Sequence, residues 1–202
     1  MKTVARSFSE SGKSLILAKH NELRRKVAKG EQKEPKQQPS ASNMKKLLWN
    51  EELANIAQRW ADQCDFSHDK NRKTLDRTYV GQNAYLGTSS QKDDLESIMS
   101  KMDVPVQAWY DEVVNFNYDP TNINPFKFDY NAGHYTAVVW AETDEVGCGQ
   151  VVYQEGNVYK NIVVCNYAKG GNMVGSPMYQ EGEPCSGCSS GYQCQDALCA
   201  KI

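Results

Sequence analysis

Four cysteines crowd the end of this chain: Cys185, Cys188, Cys194 and Cys199 fall within 15 residues. A tail this short, rich in Gly and Ser, is too small to build a hydrophobic core and needs crosslinks. Cys64, Cys148 and Cys165 bring the count to seven. That density points to an oxidising compartment and a disulfide framework. A small zinc knuckle is the competing reading, because Cys185-x-x-Cys188 and Cys194-x4-Cys199 have tolerable ligand spacing. Disulfides are favoured because Cys148 and Cys165 sit on alternating, strand-like segments outside the tail. An odd count leaves one thiol over.

The remaining residues suffice for one full domain beside that appendage. Apolar residues make up 40% of the chain, with four Trp and eleven Tyr, which supports a core and argues against disorder. No apolar run approaches the roughly 18–20 residues needed to span a membrane. Leu15-Ile16-Leu17-Ala18 is too short for a signal peptide and lies among lysines. The chain therefore reads as the mature or N-terminally shortened form of a secreted protein. Its net charge of −2 hides an asymmetry. Residues 1–46 hold 12 Lys/Arg against 4 Asp/Glu, and residues 47–202 hold 11 against 21. The plain reading is a basic solvated helix and loop beside an acidic body, and the sharper one is a patch for anionic lipid or polyanion. Arg24-Arg25-Lys26 is too short to argue for nucleic acid.

Leu15, Ala18, Leu23 and Val27 recur at helical spacing, with basic residues opposite and Gly30 as a stop. Residues 31–43 are rich in Lys, Gln, Pro and Ser and read as an exposed loop. Asn50 is a candidate N-cap, with Glu51 and Glu52 in the first turn. Leu53, Ile56, Ala57, Trp60 and Cys64 then define a helix whose buried face includes Cys64, with His68 at or just past its end. A short strand or turn is expected over 80–86, helices over 93–102 and 106–114, and a long loop over 115–133. From His134 the period becomes two: His134, Thr136, Val138 and Trp140 point one way, Tyr135, Ala137 and Val139 the other. Residues 146–153 and 158–167 read as strands joined by a hairpin turn at 154–157. A Cys148–Cys165 bridge between them would add roughly 3 kcal/mol. Helices followed by strands and a stapled tail make an α+β domain with a mostly antiparallel sheet.

His68 and His134 stand at element ends, where side chains converge on clefts. Glu112 shares a face with apolar residues and needs a partner there. Two imidazoles and a carboxylate match an open zinc site, and also general acid–base work. His20, inside the first helix, reads as a structural hydrogen-bonding residue. A hydrolase would also need a nucleophile. No Gly-x-Ser-x-Gly elbow exists, and neither Ser67 nor Thr136 lies in a motif that marks it as activated.

Taken together these stretches resemble the CAP superfamily: cysteine-rich secretory proteins, insect venom antigen five and plant pathogenesis-related proteins. "GHYTAVVW" (Gly133–Trp140) and "VVCNYAKGGNMVG" (Val163–Gly175) are similar to its two signatures. "KHNELRRKVAKG", "MKKLLWNEELANIAQRWADQC", "VGQNAY" and "WYDEV" follow in the expected order, so the likeness covers about residues 14–180. It is close to arthropod venom and salivary antigen-five proteins.

The resemblance implies a three-layer α-β-α sandwich over residues 1–179, with a large central cleft, and a cysteine-rich hinge over 180–202. It implies a cleft tetrad of His68, Gln82, Glu112 and His134, where many relatives carry Glu at the position of Gln82. A neutral Gln adds no charge to hold a cation. No cofactor is required, and zinc on His68 and His134 would be bound weakly. By analogy the pairs are Cys148–Cys165, Cys185–Cys194 and Cys188–Cys199, with Cys64 left unpaired because its usual upstream partner is missing. The implied function is a secreted, monomeric, non-enzymatic protein of venom-allergen or defence type. Its partner would be a sterol, a fatty acid or a host protein, and not nucleic acid. A scaffold with receptor-binding loops is the alternative, and a hydrolase or protease is third.

Overall fold

The computed structural model describes residues 2–76, 79–90, 95–116 and 119–202. Its centre is an antiparallel sheet in the order β1 (Lys2–Arg6), β4 (Glu145–Glu155), β5 (Val158–Ala168), β3 (Gly81–Ser89). The short β2 (Leu48–Trp49) adds to β4 in parallel. Strands β4 and β5 form a hairpin around Gly156-Asn157, with Gly156 at φ 61°, the left-handed conformation such turns require.

Successive residues of the hairpin face opposite layers. Val146, Cys148, Val163, Cys165 and Tyr167 join the larger core, with α1 (Glu10–Ala28), α4 (Asp103–Asp111) and α6 (Gly133–Val138). Val151, Tyr153, Ile162 and Val164 meet Ala57 and Ala61 of α2 (Glu51–Ala61) on the other face. Helix α2 lies very close to β4: a Cβ at Gly147 or Gly149 would stand 2.2 or 2.3 Å from helix backbone atoms. The two glycines are what admits the helix. The remaining helices are α3 (Leu95–Ser100) and α5 (Pro120–Ile123). Among the described residues no helix is long and apolar enough to cross a membrane.

Asn50 caps α2 as expected, its side chain accepting from the Leu53 N–H at 3.0 Å. Cys64 does not lie on the buried helix face. It follows the helix in a turn at φ 57° and is half-buried, because α2 ends at Ala61 once Asp62 becomes its C-cap.

Helix α1 buries Leu23 and Val27 as its apolar spacing suggested, but not Leu15 and Ala18. Leu15 is 40% exposed and Ala18 is exposed, whereas Ile16, His20, Leu23, Arg24 and Val27 are buried. The reason is polar: His20 and Arg24 find internal partners, so they do not need water. The basic end of the helix is not simply solvated either, since Arg25 and Lys29 pair with Asp196 of the tail at 2.7 and 3.3 Å. The loop at 31–43 also packs down, with Gln32, Gln38, Ala41, Ser42 and Asn43 buried.

The largest correction concerns residues 134–140. They do not form a strand: Gly133–Val138 is the helix α6. Tyr135 to Ala141 are all buried, so the alternation of His134, Thr136, Val138 and Trp140 carries no inside–outside signal. A short apolar run enclosed on every side cannot be typed by its period.

The tail contains β6 (Tyr192–Gln195) and β7 (Leu198–Lys201), a hairpin crosslinked by Cys185–Cys194 and Cys188–Cys199. All four cysteines are consumed in these bridges, which removes the zinc-knuckle alternative. Leu198 enters the main core, and the Cys199 N–H donates to the Met44 carbonyl at 2.8 Å. The third bridge, Cys148–Cys165, joins directly opposed residues of β4 and β5.

Candidate functional site

Strand β3 forms an edge of the sheet, and its first residues carry polar side chains to both faces. Gln82 pairs in register with Asn166, and its Nε2 donates to Asn166 Oδ1 at 2.9 Å. Its Oε1 accepts from the Asp69 N–H at 3.0 Å and lies 3.0 Å from His68 Nδ1. A carbonyl oxygen only accepts, so Nδ1 of His68 carries the proton. Nε2 is left without a hydrogen-bond partner among the described residues.

Asn83, the next residue, turns the other way. Its Nδ2 donates to the His134 carbonyl at 3.1 Å and to the Tyr167 hydroxyl at 3.3 Å. Tyr167 in turn meets Nε2 of the buried His20 at 2.9 Å, and His20 Nδ1 donates to the Ile16 carbonyl at 2.7 Å. Burial pushes the His20 imidazole down to about 4, against a smaller upward pull from the Ile16 bond. His20 is therefore neutral at physiological pH and braces the site from beneath.

Glu112 and His134 form the second pair. Glu112 Oε1 accepts from His134 Nδ1 at 2.7 Å, and Oε2 accepts from the backbone N–H groups of His134 at 2.9 Å and Tyr135 at 3.4 Å. Helix α6 starts after Ala132, which has no side-chain acceptor to offer. Glu112 supplies that acceptor from another element, so it caps α6 and orients its first imidazole at once. The His134 ring stacks on Trp109 at 6.4 Å and 18°. Trp109 is fixed in turn by donating to the Ala84 carbonyl. Asn172 clamps the same helix by accepting from Thr136 Oγ1 at 2.6 Å and donating to the Gly133 carbonyl at 2.9 Å.

The four residues singled out in the sequence thus fall into two hydrogen-bonded pairs, His68 with Gln82 and Glu112 with His134. A pocket of about 310 Å³ runs beside them, lined by His68, Arg72, Gln82, Phe128, Ala137 and Asn172 among others. It touches the first pair directly and meets the helix of the second through Ala137. Sequence reasoning missed Arg72, Asn83, Asn166 and Asn172. Asn83, Asn166 and Asn172 lie inside the motif blocks quoted above, but nothing in the sequence marks Arg72.

An open zinc site takes three protein ligands. Among the described residues no group of three or more His, Cys, Asp or Glu side chains is placed to hold a metal ion. Both oxygens of Glu112 are already committed, and Gln82 is neutral. The donors present do not fit such a site, and only the two Nε2 atoms remain as free imidazole donors.

Candidate nucleophiles point elsewhere. Ser67 Oγ donates to Asp65 Oδ2, and Thr136 Oγ1 accompanies Asn172 and the Gly133 carbonyl. Burial, with help from Asp62, raises the Cys64 thiol above its usual range, the opposite of activation.

The family model of the CAP, cysteine-rich secretory protein family matches residues 17–167. The chain belongs to this family. Venom allergen 5 of Polistes dominula is 45% identical over 175 residues, covering 85% of this chain and 73% of the relative. Venom allergen 5 of Microctonus hyperodae is 42% identical over 173 residues, with 85% and 72% covered. A CRISP/Allergen/PR-1 protein of Trittame loki is 43% identical over 193 residues, which is 93% of this chain but 45% of the relative. The chain thus spans under half the length of that CAP relative. Among solved structures, BmVAL-1 superposes with a TM-score of 0.85 at 27% identity, covering 96% of both chains. NaASP2, in a structure described as with Zn2+, gives 0.76 at 31% identity, with 95% of this chain and 96% of the other covered.

Proposed function

We propose that this CAP protein is a secreted, non-enzymatic binding protein of the venom-allergen type that carries a lipid. Secretion is supported by three disulfides, which persist in oxidising compartments, and by its venom-allergen relatives. The domain over 1–179 acts as the carrier, and the hinge over 180–202 staples its side. The observation that carries the non-enzymatic reading is the state of the two imidazoles. Each Nδ1 is bonded to a side-chain oxygen of Gln82 or Glu112, and neither meets a hydroxyl or thiol among the described residues.

Two apolar recesses support a lipid. One lies between α1 and α3 beside Leu15 and Met99, with a volume of about 320 Å³. The other lies between β3 and the α3–α4 pair beside Tyr85, Ile98, Val104 and Pro105. Extraction of the native protein followed by mass spectrometry, with sterol and fatty-acid uptake by the stripped protein, tests this. A protein that carries no lipid and takes up neither class sinks the reading.

Any metal would rest on His68 and His134 alone, and two imidazoles make a weak site. In a zinc titration, His68→Ala should remove whatever affinity the wild type shows.

The scaffold reading has one specific support. Loop residues near the cleft expose large apolar side chains, with Tyr130 at 90% and Val174 at 71%. If the loops engage a host receptor, Tyr130→Ala should abolish that binding and leave lipid content unchanged.

A further inference from the structure

The pocket beside His68 has a charge character opposite to that of a cation site. Among the described lining residues Arg72 is the only one with a fixed charge. Its Nε donates to the Val80 carbonyl at 2.7 Å and its Nη1 to the Asp69 carbonyl at 2.5 Å. Both partners are neutral. Among the described residues no carboxylate lies within ion-pairing distance of the guanidinium. Asp69, its closest acidic neighbour in sequence, gives Oδ1 to the Asn71 N–H at 2.7 Å instead. Gln82, which also lines the pocket, is neutral, and its amide is engaged with His68, Asp69 and Asn166. The pocket thus holds a partly buried positive charge with no counter-charge among the described residues. Phe128, Ala137 and Val174 make its apolar wall.

A guanidinium fixed through Nε and one Nη keeps its second Nη free in a planar fork, the geometry that suits a carboxylate or a phosphate. We propose that this pocket binds the oxyanion group of a ligand, a carboxylate or phosphate flanked by apolar atoms, with Arg72 as the anion contact. The plainer role for Arg72 is to pin the 69–80 segment through its two carbonyl bonds. That role explains Nε and Nη1, but not a charge facing a pocket without a carboxylate. The proposal stands apart from lipid carriage in the two apolar recesses, which neither contain Arg72 nor depend on it.

The test is a nuclear magnetic resonance titration of the full chain with three probes: octanoate, octanol and inorganic phosphate. Octanoate should shift signals around Arg72, His68 and Gly171, and phosphate should compete for the same signals. Octanol, with the same tail and no charge, should leave them in place. Phosphate binding without octanoate binding also supports the anion site, and assigns it to a free oxyanion instead of an acidic lipid. Arg72→Gln should weaken octanoate at least about tenfold, the scale of a lost hydrogen bond to a charged group. Because that change also loosens the segment, Gln82→Glu provides an independent arm. It removes no contact of Arg72 but places a negative charge in the pocket, and should abolish binding of both anions. Equal binding of octanol and octanoate overturns the proposal and leaves lipid carriage intact. No binding of either anion, or anion binding unchanged in Gln82→Glu, also overturns it.

Discussion

Arg24 Nη1 donates to the Val138 carbonyl at 2.9 Å, and through this bond the first helix holds the C-terminal end of the helix that begins beside His134. The guanidinium is fully buried and also donates to the carbonyls of Lys45, Trp140, Ala141 and Thr143. A buried cation without a carboxylate is tolerable because five carbonyl oxygens converge on it, and because C-terminal helix carbonyls favour positive charge. Burial still draws its ionisation down to about 9.

Removing that group strands several buried acceptors. Arg24→Met should cost at least about 3 kcal/mol, the scale of breaking a buried charged network. Arg24→Lys should recover only part of it, since one ammonium cannot reach the same carbonyls. Urea denaturation of both variants checks this. A loss under about 1 kcal/mol for Arg24→Met would mean that the carbonyls rehydrate easily.

Glu112 acts at the other end of the same helix. Because it caps α6 from outside, Glu112→Ala should destabilise the protein by about 1–2 kcal/mol, the cost of a lost N-cap. It should also free the His134 ring. Glu112→Gln keeps an acceptor oxygen and should lose less. Hydrogen exchange at the His134 and Tyr135 amides provides the readout, and faster exchange in Glu112→Ala with little change in Glu112→Gln is expected.

His20 makes stability depend on pH with a definite sign. Its folded pKa of about 4 lies below the ordinary value of 6.5, so the unfolded chain binds more protons between those limits. Stability from this group is present above about pH 6.5 and is lost as pH falls toward 4. The full loss is about 3 kcal/mol from the same linkage. Unfolding free energies measured from pH 7 to pH 4 should fall less steeply in His20→Gln than in the wild type. Parallel curves for the two proteins would assign the acid sensitivity to carboxylates elsewhere.

What the sequence made legible follows from what each residue needs locally. Asn50 and the apolar spacing of Leu53, Ile56 and Ala57 specify α2 within their own window. The alternation across Cys148 and Cys165 does the same for the hairpin. Glu112 announced the need for a partner by sitting among apolar residues, but not that the partner would be a helix terminus 22 residues on. Helix α1 misled for a related reason: Arg24 looks like a solvent residue until the carbonyls of 138–143 are in place. Residues 134–140 were unreadable because burial on all sides erases periodicity. Arg72 left no trace, since its bonds go to backbone carbonyls that any residue offers.

The charge carried by residue 82 should set which ion the cleft prefers. Gln82 Oε1 already accepts the proton of His68 Nδ1, so a carboxylate there would fit the same hydrogen bonds while adding a negative charge. Only the bond to Asn166 is reversed, and Asn166 can answer by turning its amide. Gln82→Glu should therefore fold with near-wild-type stability and bind zinc more tightly by about tenfold, the lower end of what groups adjoining a metal ligand contribute. Isothermal titration with zinc, repeated in His68→Ala, separates cause from coincidence. If the gain persists without His68, the added carboxylate is acting at some other surface, and the cleft does not select its ion through residue 82.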